Sequence, residues 1–359
     1  MSLFRALVGA ARSARHAPRL AAGLVPDDDV LLDAPDERLA PALVAAALAD
    51  PEPAAKLLAT TRDAAEWEDR DRYVARLAAF AYRREEWLLR WLSAAPRDPD
   101  ALLVTARLAV RRAWESPARA ERLRELDPLV RAVAEGAPHD PVPWRLALDH
   151  ARGAQAGPAV FETLWEQAVR RAPHHYGCHV AALKYLSAQG PGSHRAAFDF
   201  AERAADDAAP DSLVRALPVR AAHEALRVPP GQDGSEPPDR LDRAADRALA
   251  LSAVFPAGDP WPAGVRNLLA HVLMERGRWA EALEEFGRIG PRATSFPWEP
   301  ARDAVPEEPP PGPRPRANGE DPLLRFLAAR DRTRWELARR TPLWTPGRGR
   351  AGRGGPGGH

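Results

Sequence analysis

From residue 98 to residue 289, apolar side chains recur three and four positions apart, the spacing of one helix face. The pattern predicts helices over 98–115, 118–135, 141–152, 158–171, 175–188, 193–208, 211–227, 238–254, 261–276 and 278–289. Upstream, shorter helical patterns cover 38–49, 54–61, 63–81 and 84–94. In the last of these, Trp87, Leu88, Trp91 and Leu92 share a face, which reads as an apolar stripe for a core. One more helix is predicted over 321–340, opening with Asp321-Pro322. No stretch alternates apolar and polar residues for long enough to make a strand.

The helices are separated by regular punctuation. Ala-Pro pairs fall at Ala95-Pro96, Ala137-Pro138, Ala172-Pro173 and Ala209-Pro210, and Pro256 continues the series. The proline intervals are 42, 35, 37 and 46 residues. The last contains a Pro/Gly-rich insertion, 229–238, without which it is 36. Proline cannot donate to the helix ladder and pushes the residue before it out of the helical region, so each pair ends a helix. Asp98, Asp140, Asp211 and Asp259 follow the joints and suit the N-cap of the next helix. A constant interval of this length is the mark of stacked helical hairpins.

The segment from Leu269 to Ile289 resembles a tetratricopeptide repeat. Leu269, Ala270 and Leu273 occupy the Leu, small and aromatic positions of that family's first helix. Gly277 stands at the turn, and Ala282 and Phe286 take the small and aromatic positions of the second helix. Ile289 replaces the usual second-helix Ala, and the closing proline comes early, at Pro291. A weaker copy ends at Trp165, Ala168 and Pro173, with Leu148 in the helix before. Residues 138–226 are also similar to an uncharacterised family of bacterial helical-repeat proteins, through Pro143-Trp144, Ala151-Arg152-Gly153, Gly192-Ser193-His194, Phe200-Ala201 and Ala222-His223-Glu224. The resemblance implies an all-α, right-handed solenoid of tetratricopeptide-like hairpins, and no activity.

The expected organisation is a basic amphipathic helix within 1–25, a helical region over 26–95 and the repeats over 96–295. A Pro-rich linker over 296–320, a helix over 321–340 and a disordered Gly/Arg tail over 341–359 complete it. The overall charge is +1, but the two ends carry only arginines, leaving −8 for residues 26–338. Of the 51 basic residues all but Lys56 and Lys184 are arginine, a compositional bias that gives no reason to assign the arginines to phosphate recognition. The longest apolar run, Leu39 to Ala49, is too short to cross a bilayer, and the N-terminus lacks the apolar run of a secretory signal. The lone Cys178 suits a reducing cytoplasm. Weak peripheral membrane contact through the N-terminal helix stays open. Nucleic acid is not favoured, because the body is acidic and no aromatics interleave the arginines of the tail.

Candidate chemistry is sparse. His174, His175, Cys178 and His179 form two pairs at i, i+4, a spacing that zinc accepts. Neighbouring residues point about 100° apart on a helix, so the two pairs do not converge on one metal. His194 with His223 and Glu224 can be drawn as a hydrolase set, but the chain has no Gly-x-Ser-x-Gly elbow and no Gly-rich phosphate loop after a strand. The reading is therefore a non-enzymatic scaffold or adaptor, without metal or cofactor, that binds an unidentified protein or peptide in a concave groove. A hydrolase or metalloenzyme using His174–His179, or His194, His223 and Glu224, is the alternative. Asn267, His271 and Glu275, four apart, form a polar stripe expected to line the groove, with His150 at the position equivalent to His271 in the weaker copy.

Overall fold

Every proline joint separates two helices. The computed structural model describes residues 23–188, 190–228, 235–299 and 321–340. Seventeen α-helices fill them. The first seven are α1 (Leu39–Ala47), α2 (Glu52–Asp63), α3 (Trp67–Ala81), α4 (Glu86–Ala94), α5 (Pro99–Trp114), α6 (Arg119–Glu125) and α7 (Asp127–Glu135). Next come α8 (Val142–Gly153), α9 (Pro158–Arg171), α10 (Tyr176–Leu186), α11 (His194–Asp207), α12 (Leu217–Ala225) and α13 (Pro238–Ser252). The last are α14 (Ala263–Glu275), α15 (Trp279–Ile289), the single turn α16 (Ser295–Trp298) and α17 (Pro322–Arg340). Two strands of two residues each, β1 (Leu31–Leu32) and β2 (Arg292–Ala293), are the only strands among the described residues. The expected N-terminal helix, residues 229–234 of the insertion, residues 300–320 and the Gly/Arg tail lie outside the described residues.

At the first two joints the aspartate serves the start of the helix; at the later ones it does not, since Ser212 and not Asp211 caps the 3-10 turn at Leu213–Ala216, and α14 begins at Ala263, two residues beyond the amide that Asp259 holds. Asp98 accepts the amides of Asp100 and Ala101 at 2.9 and 3.0 Å, and Asp140 and Asp259 accept those of Val142 and Trp261 at 2.8 Å each. Asp98 and Asp140 thereby satisfy N–H groups that the helix itself cannot pair. Gly277 and Gly290 follow α14 and α15 with φ of 70° and 60°, where a Cβ would be strained. The single helix expected over 118–135 is two, because Asp127-Pro128 opens α7 inside it. The stretch 211–227 likewise divides, into a 3-10 turn at Leu213–Ala216 and α12, whose first turn holds Pro218.

Most packing joins a helix to the next one or two along the chain. Three apolar clusters result: one from Leu39 to Ala147, one from Leu148 to Tyr185, and one from Val180 to Phe326 that also takes in Val30. Among the described residues two arginines are fully buried. Arg266 is fully buried and donates to the carbonyls of Ser252, Phe255, Pro256 and Arg288, the loose ends of α13 and α15. Arg70 donates to Asp100 and Asp140 at 2.6 Å each and to the Leu58 carbonyl at 2.9 Å.

Contacts also run between distant parts of the chain. β1 pairs with β2 in parallel, Leu31 opposite Arg292 and Leu32 opposite Ala293. Asp33 accepts from the amide of Ser295 at 3.0 Å and from its hydroxyl. Arg330 of α17 donates to the Val25 carbonyl at 3.0 Å and pairs with Asp27. Across the middle, Arg72 of α3 donates to the Pro260 carbonyl at 3.2 Å and lies 4.9 Å from the Trp261 ring, while α3 touches α10. A solenoid repeat meets only its neighbours; here the segment 25–33 also meets β2 and α17, and α3 meets α10 and the loop at Pro260. Residues 296–299, expected as the start of a linker, belong to the folded body: Trp298 is buried beside Phe286 and Phe326.

Among the described residues, substituting Arg70 with Met removes the only cation hydrogen-bonded to Asp140 and leaves Asp100 with Arg62 alone. The expected loss of unfolding free energy is about 3–5 kcal/mol, read from urea denaturation. A loss below about 1 kcal/mol would mean that these ions behave as a surface pair.

Candidate functional site

The helices surround a cavity of about 1420 Å³. Its wall takes residues from α1, α3, α5, α6, α8, α10, α12, α14, α16 and α17, with Asp33 at one end of the sequence and Arg332 at the other. A second cavity of about 870 Å³ shares Glu68, Arg72, Tyr73, Pro260 and Trp261 with it and adds Trp67, Pro173 and His174. One side of the main cavity is aromatic. His223 packs edge-on against His271 at 5.0 Å and against Phe296 at 5.1 Å, and His271 lies 5.6 Å from Trp298.

The other side is built from arginines. Arg107 and Arg111 are one turn apart on α5, and Arg145 and Arg152 are two turns apart on α8, so each helix presents its pair on one face. Their guanidinium-bearing side chains are 3 to 12% exposed. Arg145 lies 3.3 Å from both Asp71 and Asp149, and Arg107 lies 3.5 Å from Asp149. Arg111 is 3.9 Å from Glu115, and Arg152 lies 4.4 Å from the Trp114 ring. Gly177 packs against this group: a Cβ there would come within 2.3 Å of Asp71 Oδ2 and 3.1 Å of Arg145 Nε. Glycine lets α10 approach that closely. Single-sequence reading missed this cluster, since arginines at i, i+4 ordinarily mark a solvated face.

The predicted groove stripe divides. His271 is half-buried and Glu275 exposed, and both line the cavity. Burial pushes the His271 imidazole below its ordinary value, against the neighbouring Glu275 charge. Asn267 does not line it. It is fully buried, donating to the Ala263 and Arg292 carbonyls at 2.9 and 3.0 Å and accepting from Trp298 Nε1 at 2.9 Å and the Thr294 amide at 3.3 Å. Its amide is saturated, three of the four bonds coming from the segment 292–298, which folds back over α14. His150 is buried as well, with Nε2 2.6 Å from the Leu123 carbonyl. Both are therefore removed from the groove assignment.

The His174–His179 stretch is a helix start. His174 is exposed, while His175, Cys178 and His179 are buried. His175 is the N-cap of α10: its Nδ1 accepts the Cys178 amide at 3.2 Å, which leaves Nε2 to donate to the Trp67 carbonyl at 3.3 Å. Glu68 stands 3.9 Å from that Nε2 and accepts the Tyr176 amide at 2.6 Å. Cys178 Sγ lies 3.2 Å from His175 Nδ1, but burial pushes the thiol up and keeps its proton on. His179 Nδ1 is 2.9 Å from the His175 carbonyl, so the i, i+4 pair is tied through the backbone and not through a shared ligand. Among the described residues no three His, Cys, Asp or Glu side chains are grouped to hold a metal ion. His223 and Glu224 line the cavity and His194, at the start of α11, does not. No helix of the described residues is long and apolar enough to cross a membrane.

Compared with protein-family models, curated proteins and solved structures, the chain matches none.

Burial lowers the His179 imidazole to about 4. Its unfolded counterpart titrates near 6.5, so between those values the unfolded chain binds the extra proton and stability falls as pH falls. The expected contribution lost between pH 7 and pH 4 is about 3 kcal/mol. In urea titrations at the two pH values, His179→Phe should flatten the dependence by a large part of that amount. An unchanged slope would show that His179 does not resist protonation.

Proposed function

We propose that the protein is a non-enzymatic helical-repeat scaffold or adaptor, an array of tetratricopeptide-like hairpins in right-handed succession, that takes a segment of a partner protein into its central cavity. The observation that carries the reading is the origin of the wall. Ten helices spread over most of the chain contribute to it, and no one hairpin makes it. The cavity is larger than the roughly 300–1,000 Å³ of small-molecule sites, which suits a chain segment. The alternative, hydrolytic or metal chemistry, draws no support from Cys178, whose thiol is pushed up by burial, or from His194, which is not on the cavity wall with His223 and Glu224. A single buried cysteine fits a reducing cytoplasm as the place of action.

The test is photo-crosslinking in cells, with a benzophenone amino acid placed at Glu275 or Arg227 on the cavity wall, or at Leu48, which is exposed and not part of it. One and the same protein should be trapped from Glu275 and from Arg227 and not from Leu48. A partner trapped only from Leu48 would move the binding surface to the outside of the array.

A further inference from the structure

The cavity differs in charge from the body that encloses it. Among the described residues of its wall, thirteen arginines and lysines face eight aspartates and glutamates. Residues 26–338 as a whole carry −8. The cationic side chains have therefore been gathered inward, against the sign of the chain. Overall arginine bias does not account for this, since it applies equally to the outside.

We infer that the segment received by the cavity is acidic and extended, and that its carboxylates are held by Arg107 and Arg111 of α5 and Arg145 and Arg152 of α8. The inference rests on the reading of the cavity as a partner site and adds the chemistry of the partner. Guanidinium keeps its charge at any ordinary pH, so the excess cannot be titrated away. Like charges held in a poorly polarisable wall repel more than they would in water, and an entering anion relieves that repulsion. Asp71, Asp149 and Glu115 already order the four side chains, and Trp114 supports Arg152. Little side-chain freedom is then left to lose on binding. A carboxylate can accept two N–H groups from one guanidinium, and side chains two and four residues apart in an extended segment reach successive arginines along one wall. The ends of this chain are excluded as the occupant by sign: residues 1–25 and 339–359 carry arginines and no acid.

The test is fluorescence anisotropy on the full-length protein with a labelled glutamate-rich peptide of about ten residues, a glutamine-rich peptide of equal length, an oligo-dT and inorganic phosphate as probes. The glutamate peptide should bind at least about tenfold more tightly than the glutamine peptide, and its affinity should fall steeply as salt rises. Arg107→Gln and Arg145→Gln should each weaken it several-fold. Because those two side chains are buried, the less buried cavity-wall pair Arg119→Gln with Arg227→Gln is the second variant; it should weaken binding with the melting temperature held. Arg131→Gln, on an exposed α7 side chain outside the cavity, should change nothing. Equal binding of the two peptides, a preference for oligo-dT or phosphate, or an effect of Arg131→Gln equal to those of the wall variants would overturn the inference. If a partner is trapped at Glu275 while the two peptides bind equally, the cavity stands as the partner site and the acidic-ligand inference alone falls. Trapping only from Leu48 removes the partner site itself.

Discussion

The arrangement depends on a contact of two residues with two. β1 lies beside β2, and around that short pairing Asp33 takes both donors of Ser295 while Arg330 holds the Val25 carbonyl. Backbone hydrogen bonds and charged pairs are directional, so they fix where the early chain meets the late chain, which apolar packing alone would not. Val30 then adds its side chain to the C-terminal core. Beside this contact, α3 lies against α10 through Glu68, which accepts the Tyr176 amide, and against Pro260 through Arg72, and the cavity has its second side there.

Buried charge follows the same logic at shorter range. Arg266 ties off the carbonyl ends of α13 and α15, and Arg70 joins Asp100 and Asp140, the residues that begin the segments after two proline joints. Asp140 thus both caps α8 and anchors α3. The joints are not slack connections between rigid hairpins; they are the places where arginines fasten one hairpin to the next. Carboxylates are shared in both places: Asp100 serves Arg62 and Arg70, and Asp149 serves the cavity residues Arg107 and Arg145.

Much of this was legible in the chain itself. Proline acts on the residue beside it, so Ala95-Pro96, Ala137-Pro138 and Ala172-Pro173 marked helix ends, and Asp98 and Asp140 marked starts, whereas Asp211 and Asp259 lie ahead of theirs. The Asp127-Pro128 pair carried the same signal within an expected helix and was outweighed by the periodicity around it. The closure was not legible, because two residues are too few to show a period of two and their partners lie some 260 positions away. Nor was the fate of Asn267. Its four-residue spacing from His271 and Glu275 places it on their face, but that face is covered partway by 292–298, whose prolines and aromatics looked like the start of a linker. The candidate site was half visible for this reason: His271 and Glu275 lie where the stripe ends and the cavity begins, while the arginine wall is indistinguishable, in so arginine-rich a chain, from ordinary surface.

Closure is the claim on which the cavity and its charge depend, and a disulfide across β1 and β2 tests it most directly. With Cys178→Ser as background, cysteines replace Leu31 and Arg292, which stand opposite each other in the parallel register. Paired positions in such a ladder fall within disulfide reach, with Cα atoms roughly 4.4–6.8 Å apart. Mild oxidation of the folded protein should link them in nearly every molecule, seen as one faster band on a non-reducing gel that disappears on reduction or on prior unfolding in urea. If the folded protein stays unlinked while its thiols react freely with alkylating reagent, the early and late parts of the chain do not meet, and the account of the cavity is wrong.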